Sequence, residues 1–209
     1  MIIKWIKCQI DKESKYSFSK AQERWSKLKN SEGFLGQIGG WDKNKPFEAG
    51  ILSFWKDYHS YEKFMKYHHD GIFENSNQKN TYHTISVKIF EKLFDIGSID
   101  FTRLLREGNL LRIAECYVDL NRQFNFEHAQ KEVWNKGMTD TSGMLAGIFC
   151  RNPNHKEMYL VASLWSDNLS HQSYVDNKLP LLIQNSGVKD PAIRITGNLL
   201  EINSKWLVL

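Results

Sequence analysis

The sequence predicts an α+β fold: a tandem repeat of two ferredoxin-like units whose antiparallel sheets pack face to face as a barrel within one chain. Two observations support it. The apolar periodicities of each half run in the order strand, helix, strand, strand, helix, strand, which is the split βαβ arrangement. The halves also repeat one another at a nearly constant spacing, as duplicated units do.

The repeat is visible in matched residues. An offset of 108 relates the early matches, and an insertion of two residues makes it 110 further on. We therefore expect a first unit over 1–90, a structured connector over 91–109 and a second unit over 110–209. Burying the apolar faces of both sheets would make them one cooperative pseudo-dimer. The matched pairs include Cys8 with Cys116, Phe18 with Phe126, Ile38 with Ile148, Trp55 with Trp165 and Asp57 with Asp167.

The first unit begins with an apolar strand over 2–10. Apolar residues spaced three and four apart then predict an amphipathic helix over 16–30. A glycine-rich strand follows, in which Gly36, Gly39 and Gly40 indicate a bulge or a close approach of backbone or ligand. The glycine spacing fits neither a Walker motif nor a dinucleotide fingerprint, so a phosphate loop is not predicted.

The second part of the first unit contains the most distinctive stretch of the chain. Residues 47–55 predict a strand that is apolar on both faces. Asp57 stands where it would cap the next helix; the alternative is that it orients a histidine. That helix has Phe64 on its inner face and is predicted to break near Asp70. Residues 81–90 alternate as the last strand.

Composition restricts the function classes. Hydrophobic residues make up 41% and charged residues 25% of the 209, with a net charge of +4, and the lysines are scattered among acids. This pattern does not predict nucleic-acid binding, and no apolar run is long enough to predict a membrane span. Cys8, Cys116 and Cys150 show no paired spacing, which indicates free thiols in a reducing compartment. We therefore expect a cytoplasmic protein.

Aromatic residues make up 13% of the chain. An aromatic-rich core is the simpler explanation of them, and the alternative is a pocket lined with flat side chains for a hydrophobic or planar ligand. If there is such a pocket, we expect Trp5, Trp55, Phe64 and Tyr82 to line it.

Adjacent histidines, His68 and His69, are the other candidate site residues. They point about 100° apart on a helix, so only one would face a given ligand. The second copy has Lys178 and Leu179 in their place, which favours a pocket in the first unit. Alternatively, one histidine is exposed to solvent and the other lies at the boundary of the core. No spacing of histidines and acids is diagnostic of a metal site.

The strand ending in Trp55, then Asp57 and a helix with His69, resembles antibiotic-biosynthesis-monooxygenase-like domains of the dimeric α+β barrel superfamily. The runs WIKC, GQIGGW and SFW…YEKFM…HDGIFENS also resemble the uncharacterised YdbC-like proteins of Bacillus, over an expected nearly full length. The superfamily resemblance implies His69 as the histidine at the pocket. The superfamily includes cofactor-free oxygenases and haem-degrading enzymes. In this chain Phe64 stands at the helix position where the haem-degrading branch uses a tryptophan.

These observations leave alternative functions open. The first is a cofactor-independent monooxygenase-like enzyme for an aromatic or enolisable substrate, with His69 or His68 as the base. The second is a non-catalytic ligand-binding or stress-related protein on the same scaffold, and the third is a haem-binding protein. The expected partner is a small hydrophobic or aromatic ligand. The internal pseudo-dimer is compatible with a monomer, and exposed edge strands also allow a homodimer.

Overall fold

The computed structural model describes all residues, 1–209. The strand order β1-β3-β2-β8-β5-β7-β6-β4 is that of a closed barrel, which confirms the predicted α+β class with two ferredoxin-like repeats. The strands are β1 Ile2–Gln9, β2 Phe34–Asp42, β3 Glu48–Trp55, β4 Thr84–Ile96, β5 Leu110–Val118, β6 Met144–Arg151, β7 Met158–Trp165 and β8 Ile193–Ile202. The α-helices are α1 Lys15–Glu23, α2 Tyr58–Tyr67, α3 His69–Ser76, α4 Gln123–Ala129, α5 Lys136–Thr139, α6 Asn168–Asn177 and α7 Leu179–Ser186.

The first compact unit comprises Met1–Glu91 and Leu200–Leu209. Within it β1 pairs with β3 on one side and β4 on the other, and β3 pairs with β2. Helices α1, α2 and α3 bring apolar side chains onto this sheet. One buried cluster contains Trp55 of β3, Phe64 of α2 and Trp25 of the 3₁₀-helix Arg24–Asn30 that continues α1. Phe18 of α1 belongs to a second cluster, with Ile51.

The C-terminal tail is part of this first unit, whereas the sequence repeat alone assigns it to the second. Residues 200–202 pair with the end of β2. The buried Trp206 ring contacts Phe18 and Trp41, with ring centroids 5.7 and 5.2 Å away. The Gln37 backbone also exchanges two hydrogen bonds with that of Val208. The tail therefore completes the sheet of the first unit beyond β2.

Two helix predictions need correction. The helix predicted over 16–30 is α-helical only to Glu23 and continues as a 3₁₀-helix over Arg24–Asn30. The helix predicted to run through both histidines ends at Tyr67, because His68 leaves the helical conformation with φ −129°. A separate helix then begins at His69, so the two histidines do not share one helical face.

The connector also differs from its prediction, because β4 continues to Ile96. A 3₁₀-helix over Phe101–Leu104 follows within the segment expected as the structured connector. The glycine predictions are confirmed. The pairing of β2 with β3 shifts between Phe34 and Gly36, and a Cβ on Gly39 would lie 2.6 Å from the Gly50 carbonyl oxygen.

The second compact unit comprises Lys92–Leu199. In it β7 pairs with β5 and with β6, in the same pattern as the first unit. A π-helix over Gln130–Asn135 lies in the segment where the repeat offset changes from 108 to 110. Insertions are commonly absorbed by such wider turns. None of the helices in the chain has the length and apolar character that spanning a bilayer requires.

Candidate functional site

A cavity of about 290 Å³ lies between the sheet and the helices of the first unit. All three helices of this unit and all four strands β1 to β4 contribute to its walls. A volume of this size is about twice that of an engineered cavity that binds benzene, and it lies near the lower end of the range for small-molecule sites. The cavity therefore has room for a compound of one or two rings.

Stacked aromatic rings form one wall of the cavity. Trp55, at the end of β3, stacks on Phe64 of α2 with centroids 4.8 Å apart and an interplanar angle of 30°. Tyr61 meets the Trp55 ring edge-on at 6.0 Å. Burial raises the pKa of Tyr61 to about 12, so its phenol stays protonated at neutral pH. This wall is flat, apolar and uncharged, and it suits a planar ligand.

A chain of buried side-chain amides fixes another part of the cavity wall. The Trp25 Nε1–H donates to Gln78 Oε1 at 2.7 Å, and Gln78 Nε2 donates to Gln22 Oε1 at 2.8 Å. All three side chains line the cavity. Because buried polar groups are costly when left unpaired, the chain of bonds holds the Trp25 ring in one orientation.

His69, the first residue of α3, lies at the cavity wall among Trp25, Phe64 and Phe73, with ring centroids 5.4 to 5.9 Å away. Its Nδ1 is 2.8 Å from a carboxylate oxygen of Asp70. A carboxylate only accepts, so Nδ1 carries the proton in the neutral ring and Nε2 is left with a free lone pair.

The electrostatics of the site favour the neutral form of His69. Burial lowers the pKa of His69 below its ordinary value, the bond to Asp70 opposes this change, and the nearby charge of Lys4 adds to it. A neutral imidazole with one nitrogen oriented by a carboxylate and the other free is the arrangement of a general base. The ring can therefore take a proton from a ligand in the cavity.

The floor of the cavity carries a row of polar side chains. Lys4 on β1 lies directly opposite Ser53 on β3, and Ser53 lies opposite Gln37 on β2. All three are buried and all three line the cavity. The Ser53 hydroxyl accepts a hydrogen bond from Trp55 Nε1 at 3.3 Å, and Gln37 Nε2 donates to the Trp206 carbonyl at 3.1 Å.

Lys4 is the only charged residue that lines the cavity, apart from the titratable His69. Its side chain is 7% exposed, and its Nζ contacts the Met65 sulfur at 3.6 Å and lies 5.8 Å from the centre of the Tyr61 ring. Burial lowers the pKa of Lys4 to about 8. No carboxylate partners this ammonium, so its desolvation is poorly compensated.

The sequence-predicted site residues divide into two groups. Trp55, Phe64, Tyr82 and His69 all line the cavity. Trp5 does not, because neighbouring strand residues point to opposite faces of the sheet, and Lys4 takes the cavity side. The Trp5 ring lies instead against Gly50, where an added Cβ would be 2.6 Å from it.

The remaining candidates lie outside the cavity. His68 sits between the two helices and is exposed to solvent. The Asp57 carboxylate caps α2 by accepting from the Ser60 backbone N–H at 2.8 Å, so it does not orient a histidine. No group of three or more histidines, cysteines and acids is arranged to hold a metal ion.

Sequence reasoning did not single out Lys4, which lies within the apolar first strand. The repeat contained a signal for it, because Lys4 corresponds to Arg112 at the 108 offset. Random substitution at surface positions does not readily explain a cation at the same inward-facing strand position in both copies. The repeat therefore indicated an inward-facing cation in each unit, but it did not indicate which of the two lies beside a ligand-sized cavity.

The second unit has only a small counterpart of the cavity, with a volume of about 40 Å³. Arg112 lines it, together with Trp134 and Met138. His171 replaces Tyr61 here; its Nε2 is buried without a partner, and burial lowers the pKa of His171 to about 4. A ligand-sized cavity is thus a feature of the first unit.

Solved structures share this fold over almost the whole chain. A candidate monooxygenase from Lactobacillus acidophilus NCFM aligns with a TM-score of 0.73 at 13% identity, covering 99% of this chain and 95% of that protein. An anthrone oxidase-like protein aligns with a TM-score of 0.68 at 10% identity, covering 97% and 91%. The chain therefore has the ferredoxin-like barrel fold of the monooxygenase-like proteins.

Sequence comparison is more specific. A protein-family model described as a domain of unknown function, DUF4937, matches residues 2–90. The uncharacterised protein YdbC of Bacillus subtilis strain 168 is 37% identical over 94 residues, which are 44% of this chain and 79% of YdbC. The chain belongs to the YdbC family. The likeness was expected to cover nearly the full length, and the 44% coverage corrects that expectation.

Proposed function

We propose that the first unit binds a planar organic compound of one or two rings and acts on it as a cofactor-independent, monooxygenase-like enzyme, with His69 as the base. One observation carries the proposal. His69 reaches an apolar cavity of about 290 Å³ with Nδ1 bound to Asp70 and Nε2 free. The names of the structural neighbours, which include a candidate monooxygenase and an anthrone oxidase-like protein, agree with it.

The chemistry follows from the site. His69 Nε2 takes a proton from an acidic phenol, an enol or a CH₂ group beside a carbonyl. The aromatic walls exclude water and hold the electron-rich anion against dioxygen. Uptake of one O₂ by a CH₂ group yields a carbonyl and one water, so the reaction balances without a further reductant. In the proposed reaction, the protein positions the substrate and removes its proton.

A suitable probe is 2-tetralone, a two-ring ketone with an acidic CH₂ group. The experiment measures hydrogen–deuterium exchange at that carbon by NMR and oxygen uptake with an electrode. The wild-type protein is expected to accelerate both. His69→Gln should reduce the exchange rate by a factor on the order of 10²–10⁴. His68→Gln is the matched control, since His68 is adjacent but exposed, and should leave both rates unchanged.

The other functions give different results in the same set of measurements. Binding of 2-tetralone without faster exchange than in buffer indicates a non-catalytic ligand-binding protein. Faster exchange without oxygen uptake indicates an enolising enzyme that is not an oxygenase. Titration with haemin that produces a Soret band, lost in His69→Gln but not in His68→Gln, indicates a haem-binding protein.

A further inference from the structure

The floor of the cavity combines groups that an apolar ligand would not need. Lys4 is 7% exposed, and its Nζ contacts only the Met65 sulfur and, at a greater distance, the Tyr61 ring. A thioether is a weak acceptor and a ring face is a weak partner, so neither replaces the hydration that the ammonium loses on burial. A lysine kept in this position has an unused capacity to bind an anion.

Ser53 adds a second donor at the same place. It is the direct cross-strand neighbour of Lys4, and such neighbours have Cβ atoms about 4.5–5.5 Å apart. Its Oγ accepts the Trp55 Nε1–H at 3.3 Å, so its own hydrogen is free to donate into the cavity. Gln37, the next residue of the row, has its amide fixed by the Trp206 carbonyl.

The only formal charge among the side chains that line the cavity is positive. None of the residues that line it is an aspartate or a glutamate. A ligand oxygen with a negative charge would meet the Lys4 ammonium and the Ser53 hydroxyl on the floor, and its ring would lie against Trp55 and Phe64. Charge-assisted hydrogen bonds in such a desolvated site are the strong ones.

We propose that Lys4 and Ser53 together bind the anionic oxygen of the ligand, so that the cavity selects planar hydrophobic acids (carboxylates, phenolates or enolates) over neutral compounds of the same shape. This inference rests on the ligand-binding part of the proposed function and names its substrate class. It also gives the two sides of the cavity separate tasks. His69 takes the proton, and Lys4 with Ser53 holds the oxygen on which the negative charge collects.

The test uses two probes of matched shape, 2-naphthoate and the neutral 2-naphthamide, with affinities measured by isothermal titration calorimetry at pH 7. The wild-type protein is expected to bind 2-naphthoate at least about tenfold more tightly than 2-naphthamide, as one charge-assisted hydrogen bond allows. Lys4→Met should remove that preference and leave the affinity for 2-naphthamide within about threefold. The exposed Lys29→Met is the control for loss of a positive charge and should retain the preference.

Ser53→Ala tests the second donor with a control from the repeat. Ser163 makes the same bond to Trp165 Nε1, at 3.0 Å, in the second unit. Both Ser53→Ala and Ser163→Ala remove a serine that supports a tryptophan, but only Ser53→Ala should weaken 2-naphthoate binding. Circular dichroism of each variant establishes that it folds.

The pH dependence provides a further readout. The titratable groups facing Lys4 are Cys8, Tyr61, His69 and Tyr82. Burial raises the pKa of Cys8 and of Tyr61 to about 12 and raises that of Tyr82, and it lowers that of His69. Since Lys4 has a pKa of about 8, the affinity for 2-naphthoate should fall above that pH while the affinity for 2-naphthamide stays constant.

The outcomes separate this inference from the proposed function. Equal binding of both probes by the wild-type protein, or a preference that survives Lys4→Met, overturns the anion site while the cavity remains a ligand site. If the wild-type protein binds neither probe and does not bind 2-tetralone, the cavity is not a ligand site and both proposals fail.

Discussion

Replacing Lys4 by methionine is expected to stabilise the protein, even though it removes a residue of the site. Burial lowers the pKa of Lys4 from 10.5 to about 8, a difference of about 2.5. At about 1.36 kcal/mol per unit, the buried ammonium costs the folded state about 3 kcal/mol at neutral pH. Methionine has a similar length and no charge, so it removes that cost with little change in packing.

The direction of the pH dependence follows from the same pKa values. Below about pH 8 both states hold the Lys4 proton and the folded state bears the full cost. Between about 8 and 10.5 the unfolded state binds more protons, so the free energy of unfolding of the wild-type protein rises with pH. The advantage of Lys4→Met should therefore be greatest at pH 7 and should disappear near 10.5.

Urea denaturation at several pH values from 7 to 10.5 measures this difference, with the exposed Lys29→Met as the control. An unchanged slope of the free energy against urea concentration would establish that both variants expose the same surface on unfolding. If Lys4→Met is less stable than the wild-type protein at pH 7, or if its advantage does not change with pH, the Lys4 ammonium is hydrated or paired and the electrostatic reasoning is refuted.

Two further predictions concern the walls of the cavity. The NMR titration midpoint of His69 should lie below 6.5. It should fall further in Asp70→Asn, which removes the hydrogen bond that raises the pKa of His69, and it should rise in Lys4→Met, which removes a repelling charge. A midpoint above 6.5 would contradict the burial of the ring. Gln78→Leu leaves the buried Trp25 Nε1–H without an acceptor. Urea denaturation should show a free energy of unfolding lower by about 1–3 kcal/mol. An unchanged free energy of unfolding would mean that water replaces the amide.

The fold was predictable from the sequence because duplication makes the pattern of each half evidence for the other. The capping aspartates Asp57 and Asp167 match at the 110 offset, and both cap their helices, with the same 2.8 Å bond to a serine N–H. The position of the C-terminal tail in the first unit was not predictable. Trp206 and Phe18 are in contact within the first unit although they lie far apart in the sequence, and no local pattern indicates such a contact.

The site was predictable in part. Flat side chains near the end of β3, such as Trp55 and Phe64, were expected at a pocket and are there. Trp5 was assigned to the pocket from its residue type. Strand alternation places Trp5 on the other face of β1 from Lys4, Ile6 and Cys8, which line the cavity. The choice between His68 and His69 depended on where the helix breaks, and no local signal marked His68 as the junction.

The repeat also separates scaffold from site within the cavity. The bond from the tryptophan Nε1 to the serine two residues earlier occurs in both units, so it belongs to the scaffold. Gln37 corresponds to Gly147, Tyr61 to His171 and His69 to Leu179, and the cavity volumes differ from about 290 to about 40 Å³. The second unit keeps a cation, Arg112, but lacks the space and the counterparts of the His69 imidazole and the Gln37 amide. A cation alone at this strand position is therefore compatible with the fold without a ligand. What is specific to the first unit is its buried ammonium together with an open apolar cavity and the imidazole of His69. Under the proposed function, the ligand that satisfies all three is flat, acidic and able to carry a negative charge on oxygen.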